Sequence, residues 1–416
     1  MTKIKVLITD FEFKKSIYNS IIDELSSDFE FIKNTEIENF DDIDIVLLAH
    51  EFYFNKSRHN VEFIYKAKQK NIPVLLLMDG ILEWRNSWEN NLTLNKEGMG
   101  FPAYQPVLSD KVACLGANQI RILEHWGNLG KCELVGFPDY DKIPGKIETL
   151  KSKDIIRISI MTATTPYFNE KQKKVVEQSL VDVKRWIEKT KKIDNKIIKV
   201  HWRISKMIDD PQLVSHAGIF EGSLWEAFKN TDILISTPST ITLGAMLYDI
   251  PVITLDYTNS PQYIPPTWLL NHKDFIGKTI QEASDFSPQR KVLQDFILHD
   301  NLFTQESSAQ RLKKLITQMV KLRKNKTPYP HQILDNPTNG YFNSASFLDY
   351  KKLYPYLNVF NKQQERYDLS KVENFHIAMK KEKQVMEDAL LKDIIVYQKM
   401  TWKHILRGII KKATNL

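Results

Sequence analysis

The chain has 416 residues, of which 42% are hydrophobic and 26% charged, with a net charge of +7; that length calls for two hydrophobic cores instead of one. Two cysteines, Cys114 and Cys132, exclude a disulfide framework and a cysteine metal site, which fits a reducing compartment. No apolar run approaches the ~20 residues of a membrane span, and the first residues lack the charged leader and small-residue cleavage site of a signal peptide, so a cytoplasmic protein is expected.

Short apolar runs then alternate with amphipathic stretches, the pattern of βαβ units and a parallel sheet. Strands are predicted over 4–9, 43–49 and 72–78, with helices over 15–26 and 60–70 between them. Shorter strands over 111–115 and 133–135 flank a helix near 117–127. Gly136-Phe137-Pro138-Asp139-Tyr140-Asp141 and the polar run after it break the pattern, which marks a domain boundary. The alternation restarts with strands over 155–161, 196–200, 233–236 and 251–255 and helices over 170–189, 221–230 and 241–248. Past residue 256 the period weakens; 325–365 reads as ordered irregular structure and 366–416 as helix. The expectation is an α/β protein of two Rossmann-like domains facing a cleft, 1–141 and 142–325. Residues 326–416 are an irregular segment and helical tail, for which packing back on the first domain is open.

Ligands of parallel sheets bind beyond the carboxyl ends of the strands, so the loops there carry the candidate chemistry. Asp232-Ile233-Leu234-Ile235-Ser236-Thr237-Pro238-Ser239-Thr240-Ile241-Thr242 is a buried strand, a hydroxyl-rich loop and a helix start. Unpaired N–H groups and small hydroxyls in that arrangement suit a phosphate. One hydroxyl would serve as a simple helix cap; Ser236, Thr237, Ser239, Thr240 and Thr242 are more than a cap needs. The strand ending His201-Trp202-Arg203 brings an imidazole and a guanidinium to the same edge, where both could stabilise a departing diphosphate. Thr164 and Thr165, after the strand 155–161, form a second hydroxyl-rich turn.

In the first half, Met78-Asp79-Gly80-Ile81-Leu82-Glu83-Trp84-Arg85-Asn86-Ser87-Trp88 follows a strand. Asp79 and Glu83 are the preferred bases, with Glu51 and Asp10 at equivalent strand ends. Trp84 and Trp88 offer flat faces for a sugar ring, with Arg85 between them as an acceptor contact. The bland alternative is a turn and a helix whose tryptophans fill the domain core. In the tail, Lys399, Lys403, Arg407 and Lys411 recur every four residues beside an apolar face holding Trp402 and Ile405. Such a helix suits an anionic membrane surface, or packs on the protein with its basic face in water. The stripe is short and the rest of the chain is close to neutral, which argues against a nucleic-acid binder.

The order strand–His–x–Arg, helix, Asp-Ile-Leu-Ile-Ser-Thr-Pro-Ser-Thr-Ile-Thr-Leu-Gly-Ala-Met-Leu-Tyr-Asp-Ile-Pro-Val-Ile resembles the C-terminal half of GT-B glycosyltransferases of bacterial surface polysaccharide synthesis. Glycerophosphotransferases and UDP-GlcNAc 2-epimerases share it. Gly136-Phe137-Pro138-Asp139-Tyr140-Asp141 is similar to the segment that closes the first domain there. The resemblance implies a nucleotide-sugar donor on the second domain, a glycan or lipid-linked acceptor on the first, and no metal or other cofactor. Ser239, Thr240 and Thr242 would hold the diphosphate and His201 would stand near it. Two departures matter: Trp202 replaces a common proline, and Gly244 stands where many relatives carry a ribose-binding Glu. The expected activity is transfer of a sugar at the cytoplasmic face of the membrane, inverting if by single displacement. A glycerol- or ribitol-phosphate transferase, a sugar-nucleotide 2-epimerase and a non-catalytic scaffold are the alternatives.

Overall fold

The structure is a computed structural model that describes residues 3–9, 15–33, 40–51, 58–90, 104–142 and 154–335. Asp10 and the basic stripe of the tail lie outside the described residues. The first half is a six-stranded sheet, built from β1 (Ile4–Ile8), β2 (Phe29–Lys33), β3 (Ile45–Leu48), β4 (Val74–Leu77), β5 (Lys111–Cys114) and β6 (Cys132–Leu134). The order is β2-β1-β3-β4-β5-β6 and every pairing is parallel. Each residue of β3, β4 and β5 is buried, as expected where both faces of a parallel sheet are covered. Helices α1 (Lys15–Leu25), α2 (Arg58–Gln69), α3 (Trp84–Trp88) and α4 (Ala117–Leu123) connect these strands.

The second half repeats the plan. Its strands β7 (Ile155–Met161), β8 (Lys192–Ile193), β9 (Lys196–Arg203), β10 (Ile233–Ser236), β11 (Val252–Leu255) and β12 (Trp268–Leu270) are ordered β12-β11-β10-β7-β9-β8. Only β8 is antiparallel; it meets β9 through Asp194 and Asn195, whose φ of 47° and 64° give the left-handed turn a two-residue hairpin requires. One sheet face, with Ile156, Ile158, Ile160, Ile233 and Ile235, packs on Val176, Leu180 and Val183 of α5 (Glu170–Lys189) and Ile276 and Ile280 of α8 (Ile276–Asp285). The other strand-linking helices are α6 (Leu224–Lys229) and α7 (Ile241–Leu247).

The structure differs from the sequence-based expectation in several places, beginning with strands β2, β8 and β12, which are not among the expected ones. The helix expected over 221–230 is shortened to α6, because Ser223 and Glu226 make a reciprocal capping box and Gly222 before them has φ of 68°. Strand β9 runs three residues past the expected end at 200, to Arg203, and so carries His201 and Arg203 at its carboxyl end as the sequence reading has them. The stretch past 256 is regular: β12, α8, α9 (Pro288–Asn301) and α10 (Ser308–Lys324) follow one another.

Helix α10 ties the halves together. It buries Ala309, Leu312, Leu315, Ile316, Met319 and Val320 at helical spacing, and it lies against α1. The Asp141 carboxylate receives the N–H groups of Ser308 and Ala309 at 2.9 and 2.7 Å, a cap supplied from far along the chain. Gly136, with φ of 97°, passes so close that a Cβ there would meet Ser308 Oγ at 2.3 Å. Further on, the buried Lys111 ammonium is paired with Glu133 at 2.7 Å and donates to the carbonyls of Pro330 and His331.

Candidate active site

The parallel registers put the carboxyl ends of the second-half strands in one row. Met161 sits beside both Arg203 and Ser236, and Ser236 beside Thr254. The hydroxyl loop, the 162–168 turn and Arg203 therefore leave the sheet along the same edge.

Within the loop the hydroxyls divide by what their protons already do. Ser236 is buried and donates to the Thr237 carbonyl at 2.9 Å; Thr242 donates to the Ser239 carbonyl at 2.7 Å. Thr237, also buried, accepts from the Ala163 N–H. Ser239 accepts from the Ile241 N–H at 3.4 Å and Thr240 from the Ile81 N–H at 3.0 Å. A hydroxyl that accepts still has a proton to give, so Ser239 and Thr240 are the half-buried members of the loop able to donate to a ligand. Thr164 is exposed and its carbonyl accepts from Ser205 Oγ at 2.6 Å, while Thr165 is half-buried.

Residues 80–90 belong to the first half but are bonded to the second. Besides the bond from Ile81 to Thr240, Arg85 donates to the Pro166 carbonyl, Trp88 Nε1 to Tyr263 Oη at 2.6 Å, and Glu89 accepts from Asn169 and Gln172. Gly80 allows this approach, because a Cβ there would lie 2.3 Å from Thr240 Oγ1. Tyr140, at the end of the first half, donates to the Thr240 carbonyl at 2.8 Å. Its oxygen also stands 3.0 Å from where a Gly244 Cβ would be, so a side chain at position 244 would crowd Tyr140.

Between the halves lies a cleft of about 400 Å³, counting the space open to solvent. Glu83, Trp84, Ser239, Thr242, Gln262 and Tyr263 line it. Glu83 keeps 12% of its side-chain surface, and its carboxylate is ion-paired to Arg85, which keeps 1%. Burial pushes the Glu83 carboxyl up to about 7; Arg85 pulls it down, and Asp256 and Glu89 push it further up. Asp256 follows β11 and is held by the Thr258 hydroxyl and, at 2.5 Å, by the Gln262 amide. A carboxyl that titrates near neutrality, in a cleft beside hydroxyl donors, is suited to proton transfer.

The other sequence candidates fall in different places. Asp79 Oδ2 is 3.4 Å from Nε2 of His50, so the ends of β4 and β3 form a His–Asp pair. Both oxygens of Glu51 accept backbone N–H groups, from Leu108 and Ser109 at 2.6 and 2.7 Å, which braces a loop of the first half. Trp88 packs edge-on to Trp126, which in turn meets Tyr263 edge-on, while Trp84 both joins this aromatic group and faces the cleft. His201 is half-buried, and burial, followed by the Arg203 charge, holds its pKa below the usual histidine value. Arg203 donates to the carbonyls of Glu221 and Gly222 and lies over the Phe220 ring, outside the residues lining the cleft. Sequence reasoning missed Asp256, Gln262 and Tyr263. Asp256 ends a predicted strand, the signal used for the other candidates; Gln262 and Tyr263 come from a loop without a period. Among the described residues no group of three or more His, Cys, Asp or Glu side chains is placed to hold a metal ion, and no helix is long and apolar enough to cross a membrane.

No family model matches the chain, and no curated protein matches it by sequence. Solved structures do. MnaA from S. aureus, in a co-structure with UDP, is similar at 14% identity and a TM-score of 0.51, over 77% of this chain and 98% of that one. A putative UDP-N-acetylglucosamine 2-epimerase from Listeria monocytogenes follows at 13% identity and a TM-score of 0.50, over 80% and 100%. The wall teichoic acid polymerase TagF reaches 0.49 at 12% identity, over 77% and 90%. The two Rossmann-like halves around a cleft are the GT-B fold.

Proposed function

We propose that this GT-B chain is a glycosyltransferase of bacterial surface polysaccharide synthesis, moving a sugar from a nucleotide-sugar to a hydroxyl of a glycan or lipid-linked acceptor. The observation that carries this reading is Glu83: a carboxyl near pH 7 in the cleft that also presents Ser239. Ionised Glu83 accepts the proton of the acceptor hydroxyl as its oxygen forms the new bond to the sugar. The bond from sugar to diphosphate breaks, and the loop holding Ser239 and Thr240 stabilises the charge that develops there. No metal takes part in this scheme, and Trp84 offers the sugar a flat face. A single displacement inverts the anomeric carbon. Asp79, paired with His50, is the second candidate base. The reaction is placed at the inner face of the cell membrane, with the basic tail 399–412 as the contact to anionic lipid.

A thermal-shift panel of UDP-, GDP-, CMP- and CDP-linked sugars and polyols tests the donor. One member is expected to raise the melting temperature, and Ser239→Ala to weaken that shift. With that donor, release of the nucleotide should require an added acceptor. A panel without any shift, or undiminished transfer by Glu83→Gln, sinks the proposal. Two outcomes redirect it: a CDP-polyol as donor gives polyol-phosphate transfer, and isomerisation of a UDP-sugar without acceptor gives 2-epimerisation. The second has support in Glu83 itself, since a carboxyl near 7 serves proton abstraction from carbon as well.

A further inference from the structure

The loop after β11 fixes the direction of one amide in the cleft. Asp256 is buried, and its two carboxylate oxygens face different partners. Oδ1 accepts the Thr258 N–H at 2.9 Å and the Thr258 hydroxyl at 2.5 Å, while Oδ2 accepts from Gln262 Nε2 at 2.5 Å. The second proton of that amide goes to the Ser260 carbonyl at 3.2 Å. A carboxylate and a carbonyl only accept, so the nitrogen of Gln262 must turn to them and its oxygen away. That oxygen has no partner among the described residues. Gln262 is half-buried and lines the cleft with Glu83, Trp84 and Ser239.

The polar groups of this wall differ in what they can hold. Ser239 keeps a proton to give, which suits phosphate oxygens, since these only accept. The Glu83 carboxylate is engaged with Arg85, and Thr242 has spent its proton on the Ser239 carbonyl. An amide oxygen repels a diphosphate but accepts from a hydroxyl. A ring lying on Trp84 turns its hydroxyls outward at the rim, where such an acceptor is useful.

We propose that Gln262 is the specificity-determining residue of the cleft: its Oε1 accepts a hydrogen bond from one hydroxyl of the transferred sugar, and Asp256 is the positioning residue that keeps this oxygen turned to the ligand. The inference rests on the nucleotide-sugar reading. A donor without that hydroxyl leaves a half-buried acceptor unpaired, so it binds roughly 10-fold or more weakly.

Asp256→Asn changes the lock and hardly its shape. The two Thr258 donors need an acceptor, so the new amide keeps its oxygen on them and turns its NH2 group to Gln262. Two NH2 groups cannot bond to each other, so the Gln262 amide turns over and offers an N–H to the cleft.

The probes are the UDP-, GDP-, CMP- or CDP-sugar that shifts wild-type melting and its monodeoxy and monofluoro analogues at each sugar hydroxyl, with binding measured by calorimetry. Fluorine accepts but does not donate, so at one position both replacements should weaken wild-type binding roughly 10-fold or more. Gln262→Leu should weaken the parent sugar-nucleotide by a similar factor and abolish the discrimination, a coupled and not an additive loss. Asp256→Asn should prefer the fluoro to the deoxy analogue at that position, which a purely structural aspartate would not produce. Unliganded melting of each variant reports its folding, and either variant decides alone if the other does not fold. Wild-type binding indifferent to every replacement, discrimination that persists in Gln262→Leu, or an unchanged fluoro-to-deoxy ratio in Asp256→Asn overturns this proposal and leaves the donor reading in place. A panel in which no sugar-nucleotide binds overturns both.

Discussion

Ser239 and Thr242 are three residues apart in one loop and helix start, yet their hydroxyls do opposite work. Thr242 spends its proton on the Ser239 carbonyl, whereas Ser239 accepts from Ile241 and keeps its proton. Ser239→Ala is therefore expected to weaken binding of the donor identified by thermal shift about tenfold, the loss of one hydrogen bond. Thr242→Val should leave that affinity in place and cost about 1 kcal/mol of stability, read by denaturant titration. Glu83 gives a prediction of another kind. A base works ionised, so turnover should rise with pH through about 7 and reach a plateau above it. Glu83→Gln should lower the plateau about 100-fold or more, measured as initial rates of nucleotide release. A profile flat from pH ~5 to ~9 would remove Glu83 from the chemistry.

The element that matters most is the turn and short helix 80–90. Asp-Gly after an apolar strand reads as a turn in the sequence, and the tryptophans read as either a sugar platform or core. Both readings describe part of what is found. Trp84 faces the cleft and also meets the Tyr263 ring of the other half, whereas Trp88 donates to Tyr263 Oη and packs on Trp126. Sequence could not separate them, because which tryptophan faces the cleft depends on a partner 175 positions away. The inner strands of both sheets are legible, since buried parallel strands are continuous apolar runs; the short β8 and β12 are not. Edge strand β2 was not: Phe29-Glu30-Phe31 is a short polar-interrupted alternation with Glu30 exposed. Helices α8 to α10 carry apolar residues at helical spacing, but among so many charges that the period is masked in the sequence. Gly80 provides the element's prediction. Gly80→Ala places a methyl 2.3 Å from Thr240 Oγ1, and overpacking of this kind costs about 1–3 kcal/mol. Thr240→Ala in the same chain removes the obstructing oxygen, so the double variant should melt above Gly80→Ala alone. Additive losses would mean that the two residues do not meet.

At the scale of the molecule, the crossing of α10 and the residues after it onto the first half decides what can fold alone. Lys111 and Glu133 form a buried ion pair under that crossing. The lysine also donates to the Pro330 and His331 carbonyls, and Glu133 accepts the N–H groups of Ile333 and Leu334. Every partner beyond the pair itself and the Gly130 carbonyl lies in 330–334, so the pair is satisfied only when that segment is in place. Lys111→Met leaves a buried carboxylate without its cation, a loss of about 3–5 kcal/mol. Replacing both members, Lys111→Met with Glu133→Gln, removes the orphaned charge and keeps an acceptor for one N–H, so it should recover part of that loss. Thermal unfolding of the three proteins decides the matter. If the double variant is no more stable than Lys111→Met, the clamp works through the carbonyl and amide contacts of 330–334 and not through the paired charges.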